Sequence, residues 1–289
     1  LDNALDYFQN AAQAVQQTDD NILLGNIYYE IGIVYRNVGD YRNAWQTFEK
    51  STEYARAAGN IKTVIYAQGQ LANLLAVQSR FPEALEILKN SLPDWESLST
   101  ESDRNMKHTT IHTLGRTYLQ NGQYREAKET LQESLRIKEM VNERFDITLR
   151  TRATLAEVCI NLGEFQEADQ YLREEDIDKL ERSGSYLYSA SAYKTLSQLR
   201  YAQGNHSESR RLADRALDVA DQSNNPLTQF EVLLWALPSR LRRLDIVGFM
   251  LLFPRFLRVF FRLRLSPLEI IKLVIKRLLV TINPFRVTK

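Results

Sequence analysis

Small residues recur through this chain at a nearly constant step. Ala4, Ala44, Ala84, Ala127, Ala168 and Ser209 stand 40, 40, 43, 41 and 41 residues apart. Four positions after each comes Phe8, Phe48, Leu88, Leu131, Leu172 or Ala213. Five positions before the last five comes Gly39, Ser79, Gly122, Gly163 or Gly204. A period of this size marks a stacked array, in which each repeat buries its apolar face against its neighbours. Arrays of that kind bind partners along one surface and rarely carry out chemistry.

Within one repeat the pattern resolves into two helices. Tyr28, Ile31, Gly32 and Tyr35 follow three-and-four spacing, Gly39-Asp40 interrupts, and Tyr41, Ala44, Phe48 and Ser51 resume it. The same reading holds for Leu71, Ala72 and Leu75 with Phe81, Ala84 and Leu88. It holds for Ile111, Leu114, Gly115 and Tyr118 with Tyr124, Ala127 and Leu131, and for Leu155, Ala156 and Cys159 with Phe165, Ala168 and Leu172. Tyr193, Leu196 and Ser197 with His206, Ser209 and Ala213 form a degraded fifth repeat. Gly32 and Ala44 are expected where two helices cross, since a larger side chain would push the axes apart. Leu1, Ala4, Phe8 and Ala11 match only a second helix, so the chain is expected to be a piece of a longer protein. Pro93 to Asn105 spans the longest expected connection.

The net charge of +1 conceals an asymmetry: residues 240–289 hold twelve Lys and Arg against two acids, while the rest holds 25 against 34. Two parts of opposite sign imply surfaces with different partners. Ile246 to Phe253 lacks any polar side chain, and Pro254 is expected to kink or break the helix there. Beyond it, a helix is expected from Ser266-Pro267 to Asn283-Pro284. Arg255, Arg258 and Arg262 interrupt the apolar run too soon for a transmembrane span. The expectation is contact with an anionic membrane surface through Arg255, Arg258, Phe260, Phe261, Arg262, Lys272, Lys276 and Arg277, their long stems lying along apolar surface. The competing role is a cap on the array or an oligomer interface, with arginines meeting the acidic repeats. Clustered Phe and Ile without polar spacing argue against nucleic acid.

No nucleophile elbow, phosphate-cradling glycine loop or paired Cys-x-x-Cys occurs. His108 and His112 lie four apart and can face one metal, but no third ligand is apparent, so neither a metal nor a cofactor is expected. His206, in the aromatic slot after a turn, reads as packing. The single cysteine, Cys159, makes no internal disulfide and fits a reducing, cytoplasmic setting.

The glycine turns and the small helix-crossing residues over residues 1–220 resemble the tetratricopeptide repeat family. The departure is the period, 40–43 residues rather than about 34. That is similar to the long-helix variants of kinesin light chains, bacterial signal-peptide receptors and the sensor arms of bacterial regulators. The resemblance implies an all-α, right-handed superhelical solenoid of antiparallel helix pairs. Residues 1–225 would form the array, 226–240 a capping helix and 241–289 basic C-terminal helices. It also implies a concave groove lined by the first helix of each pair. In register, that groove takes Tyr29, Ile33, Arg36 and Asn37, then Asn73, then His112, Arg116 and Gln120. Glu157 and Asn161 follow, then Lys194, Gln198 and Tyr201. The carboxylate clamp of chaperone-binding members falls on Tyr29, Ile33, Gln70, Thr109 and Thr113, none of them Lys or Arg, so that speciality is not expected. The function implied is a non-catalytic scaffold for a protein or peptide, docked on a membrane by its C-terminal segment. The alternative is a sensor arm of a larger signalling enzyme or transcription regulator.

Overall fold

The computed structural model describes residues 2–16, 18–91, 100–139, 145–242 and 245–262. Among these, every regular element is an α-helix. They run α1 (Asp2–Val15), α2 (Asn21–Asn37), α3 (Tyr41–Ala57), α4 (Ile61–Val77), α5 (Phe81–Asn90), α6 (Glu101–Gln120) and α7 (Tyr124–Glu139). Then come α8 (Phe145–Leu162), α9 (Phe165–Tyr171), α10 (Glu174–Arg182), α11 (Tyr186–Ala202), α12 (His206–Gln222), α13 (Pro226–Arg242) and α14 (Ile246–Phe260).

The recurring turn residues explain the helix ends. Gly39, Gly122, Gly163 and Gly204 all adopt φ near +80°, a region that glycine enters without a Cβ penalty. Ser79 fills the same slot at φ +63° although it carries a side chain. The turn it closes is bonded like the others: Gly39 N–H donates to Arg36 O and Asp40 N–H to Tyr35 O, as Ser79 N–H does to Ala76 O and Arg80 N–H to Leu75 O. The next residue often starts the following helix. Asp40, Asn60 and Asn205 each accept a backbone N–H three residues ahead, from Asn43, Thr63 and Glu208. Turns of three residues between packed helices such as α2 and α3 enforce antiparallel pairs.

Small residues twelve apart sit at the crossings. Ala44, Ala72, Ala84, Ala156 and Ala168 have no exposed surface, and Gly32 is buried against the Phe48 ring. In the fifth repeat the pair is Ser197 and Ser209, both buried. Ser197 Oγ donates to Ser209 O at 2.6 Å and Ser209 Oγ to Ser197 O at 2.8 Å. What reads as degradation in the sequence is a reciprocal hydrogen bond that satisfies both hydroxyls inside the crossing.

The chain forms two compact units, Leu1–Gln123 with Arg136–Val141, and Tyr124–Leu135 with Asn142–Lys289. In the first, Ala72, Leu75, Ala84, Leu88 and Leu114 form a core cluster bordered by Phe81 and Tyr118. In the second, Leu155, Cys159, Leu172, Tyr193 and Leu196 are buried almost completely.

Two expectations change. The helix that begins at Phe165 is not continuous: Leu172 and Arg173 are extended, and α10 restarts at Glu174. Pro254 does not break α14, which runs from Ile246 to Phe260. Pro254 and Met250 are both exposed, so the Met250 carbonyl that loses its partner lies on the side open to water. The segment after Ser266 lies outside the described residues.

Candidate functional site

In the first unit, the first helices of three successive pairs, α2, α4 and α6, are stitched side by side by polar side chains. Thr63 Oγ1 donates to Asn26 Oδ1 at 2.7 Å, and Gln70 Nε2 to the Tyr29 hydroxyl at 3.3 Å. Arg36 Nη1 donates to Gln70 Oε1 at 2.5 Å while Nη2 reaches Asn37 Oδ1 at 3.0 Å. Between α4 and α6, Arg116 Nη2 donates to Asn73 Oδ1 at 2.7 Å. Tyr29 and Tyr66 lie with ring centroids 6.1 Å apart. Burial, and then the neighbouring Tyr29, push the Tyr66 hydroxyl above its ordinary pKa, so it stays a donor.

Tyr29, Arg36, Asn37, Asn73 and Arg116 are therefore brought together in one unit. Arg116 is exposed, and the partner of its guanidinium is a neutral amide. Several arginines elsewhere are matched with acids, among them Arg80 with Glu83, Arg200 with Asp169, Arg211 with Glu174 and Arg215 with Glu181, whereas Arg36 on this same face also bonds neutral amides. Chemically, this face offers amides able to pair with a peptide backbone and a guanidinium whose charge no carboxylate neutralises across its bond.

The remaining residues named for the groove are placed differently. His112 is 3% exposed and lies beside the equally buried His108, ring centroids 6.3 Å apart. In the second unit, Glu157 and Asn161 share α8, where Asn161 Nδ2 bonds back to Glu157 O at 2.7 Å. Lys194 is 7% exposed, and Gln198 is half-buried on α11. Tyr201 lies at a tilt to His206, ring centroids 4.9 Å apart, and both are exposed, so His206 is at the surface and not packed in the interior as its slot implied.

Two of the residues expected at a lipid surface are used inside the protein. Arg255 pairs with Asp221 and donates to Leu217 O at 3.2 Å. Phe260 is half-buried beside Phe230 of α13. The reason is helical phase: Leu252, Arg255, Phe256 and Val259 share the face of α14 turned toward its neighbours. Arg258, Phe261 and Arg262 are exposed, and Lys272, Lys276 and Arg277 lie outside the described residues.

One cluster escapes sequence reasoning. The Cys159 sulfur and carboxylate oxygens of Glu164 and Glu167 lie within 4.8 Å of one another, a separation that suits a metal ion. Lys128 Nζ is 2.7 Å from both Glu164 Oε2 and Glu167 Oε2. Burial, and then Glu167, push the Cys159 thiol up to about 12. Burial works against the Lys128 charge, but the bonds to Glu164 and Glu167 outweigh it and raise that pKa. The cluster holds an ammonium, and a metal would have to displace it and deprotonate the thiol. The signal for it was a lysine roughly one period upstream of two glutamates.

Residues 2–178 match the MalT-like TPR region. The chain belongs to this family. It is 22% identical over 229 residues to the regulatory protein RapG of Bacillus subtilis (strain 168), across 75% of this chain, and spans 55% of that relative's length. Two solved structures have a similar fold. One is a Rap protein complexed with competence and sporulation factor, at TM-score 0.67, 13% identity and coverage of 94% of this chain and 71% of that one. The other is the Rap conjugation gene regulator of plasmid pLS20 in complex with the Phr* peptide, at TM-score 0.64, 14% identity and coverage of 89% and 67%. With these MalT-like and Rap relatives, the helix pairs form a TPR-like helical solenoid. No described helix is long and apolar enough to cross a membrane.

Proposed function

We propose that this MalT-like TPR chain is a non-catalytic regulatory scaffold that holds a linear peptide on the face formed by α2, α4 and α6. The observation that carries this reading is the polar ladder from Tyr29 through Gln70 and Asn73 to Arg116. Amide side chains both donate to and accept from a peptide backbone, and Arg116 takes a carboxylate. A Rap protein of similar fold was solved in complex with the Phr* peptide, which supports the same class of partner here. Glu157, Asn161, Lys194 and Gln198 are candidates for a corresponding surface in the second unit. On α11, Gln198 is half-buried and more accessible than the buried Lys194.

A second reading is a sensor arm of a larger signalling enzyme or transcription regulator, which the likeness to the regulatory protein RapG supports. In either arrangement the scaffold acts by binding, in a cytoplasmic setting. The test is affinity capture by the whole chain from a soluble library of random short peptides, read by mass spectrometry. Recovery of a related set carrying an acidic side chain or a free C-terminus supports the reading. Recovery of the same background from wild-type protein and from unfolded chain overturns it.

A further inference from the structure

A separate surface lies on α14. Its outer face exposes Ile246, Val247, Met250, Leu257 and Phe261, with Phe261 78% exposed and Val247 72%. These positions fall within one side of the helix, opposite Leu252, Phe256 and Val259, which pack toward α13. Along one flank run Arg255, Arg258 and Arg262, three and four residues apart. They line an open cavity of about 350 Å³ together with Asp221. Asp221 is already paired with Arg255, whereas Arg258 and Arg262 are exposed. Residues 246–262 include no acidic side chain.

We infer that α14 lies flat on an anionic lipid surface, with Met250, Leu257 and Phe261 in the apolar layer and Arg258 and Arg262 on lipid phosphates at the arginine-lined cavity. The argument is charge complementarity joined to apolar depth. A second copy packed through this same face would bring the same arginines against these. Residues 263–289 hold six basic residues and one acid, so covering the face with them adds positive charge to positive charge. An anionic lipid surface offers negative charge at its edge and hydrocarbon beneath it, which is what an amphipathic helix with flanking arginines requires. This inference does not depend on the peptide-binding reading, since it uses a different helix and a different partner.

The test uses the full chain and vesicles of phosphatidylglycerol and phosphatidylcholine, against phosphatidylcholine alone. Co-sedimentation should require phosphatidylglycerol and should weaken as salt rises to about 0.5 M. The double variant R258E/R262E should bind more than about tenfold less tightly, and M250D/L257D should also lose binding, each with an unchanged circular dichroism spectrum. A dye placed at Phe261→Cys, with Cys159 buried, should shift to shorter wavelength on adding the anionic vesicles. Undiminished binding by both double variants would overturn the inference by putting the lipid contact elsewhere. So would a wild-type chain that ignores the vesicles: a doubled mass in solution would assign the face to a second copy, and a dye already shielded before lipid is added would assign it to residues 263–289.

Discussion

A Cβ added to Gly32 would lie 2.5 Å from Cε1 of Phe48. The close approach of α2 and α3 therefore depends on the absence of a side chain at this position. Gly69, in the middle of α4, is the opposite case, with nothing within 4 Å of an added Cβ. Gly32→Val should destabilise the chain by about 1–3 kcal/mol through overpacking. Gly69→Ala should stabilise it by about 0.5–1 kcal/mol through helix propensity. Urea unfolding of the two variants measures both. Equal signs would contradict the assigned helix crossing.

Ser79 holds a left-handed turn that glycine holds in four other repeats. Ser79→Gly should therefore raise stability by about 0.5–1 kcal/mol, the strain relieved exceeding the freedom added to the unfolded chain. Gly122→Ser should cost a similar amount. Thermal melts of the pair check the prediction, and a destabilised Ser79→Gly would show that the serine side chain holds the turn in some other way.

The architecture was legible because its determinants are local and repeated. A positive-φ glycine, a cap residue and two small residues twelve apart recur with the period, and each has one physical job. The break at Leu172 and Arg173 was hidden, because Phe165, Ala168 and Leu172 keep the helical spacing right up to it. Arg116 and Asn73 could be named from register, but their bond to each other could not. It joins positions 43 apart, as Tyr29 and Gln70 are joined at 41 and Lys128 and Glu167 at 39. Polar pairs one period apart are thus the readable trace of lateral contacts between neighbouring repeats. The burial of His112 and Lys194 was not legible, because a polar residue on a first helix is covered or open according to how its neighbour packs.

Cys159 and Lys128 make stability fall at alkaline pH. Both groups keep their protons to higher pH in the folded chain than in the unfolded one. Above about pH 9 the unfolded chain therefore binds fewer protons, and stability declines as pH rises, for Cys159 up to about 12. At lower pH the contribution is constant. Melting temperatures measured between about pH 7.5 and 10.5 should fall, and Cys159→Ala should flatten the slope. Native Cys159 should also resist alkylation at about pH 8 and react once the chain is unfolded. Rapid native alkylation would contradict the protonated, buried thiol.

The most direct test of the peptide-binding account is the affinity of one peptide recovered from the random library, measured by calorimetry on wild type and Arg116→Glu. The control is Glu86→Lys, a charge reversal at an exposed position on α5. Arg116→Glu should weaken binding by at least about tenfold, roughly 1.4 kcal/mol, while its melting temperature stays close to that of wild type and Glu86→Lys binds normally. Wild-type affinity in Arg116→Glu would contradict the account, because the peptide would then lie away from the face of α2, α4 and α6.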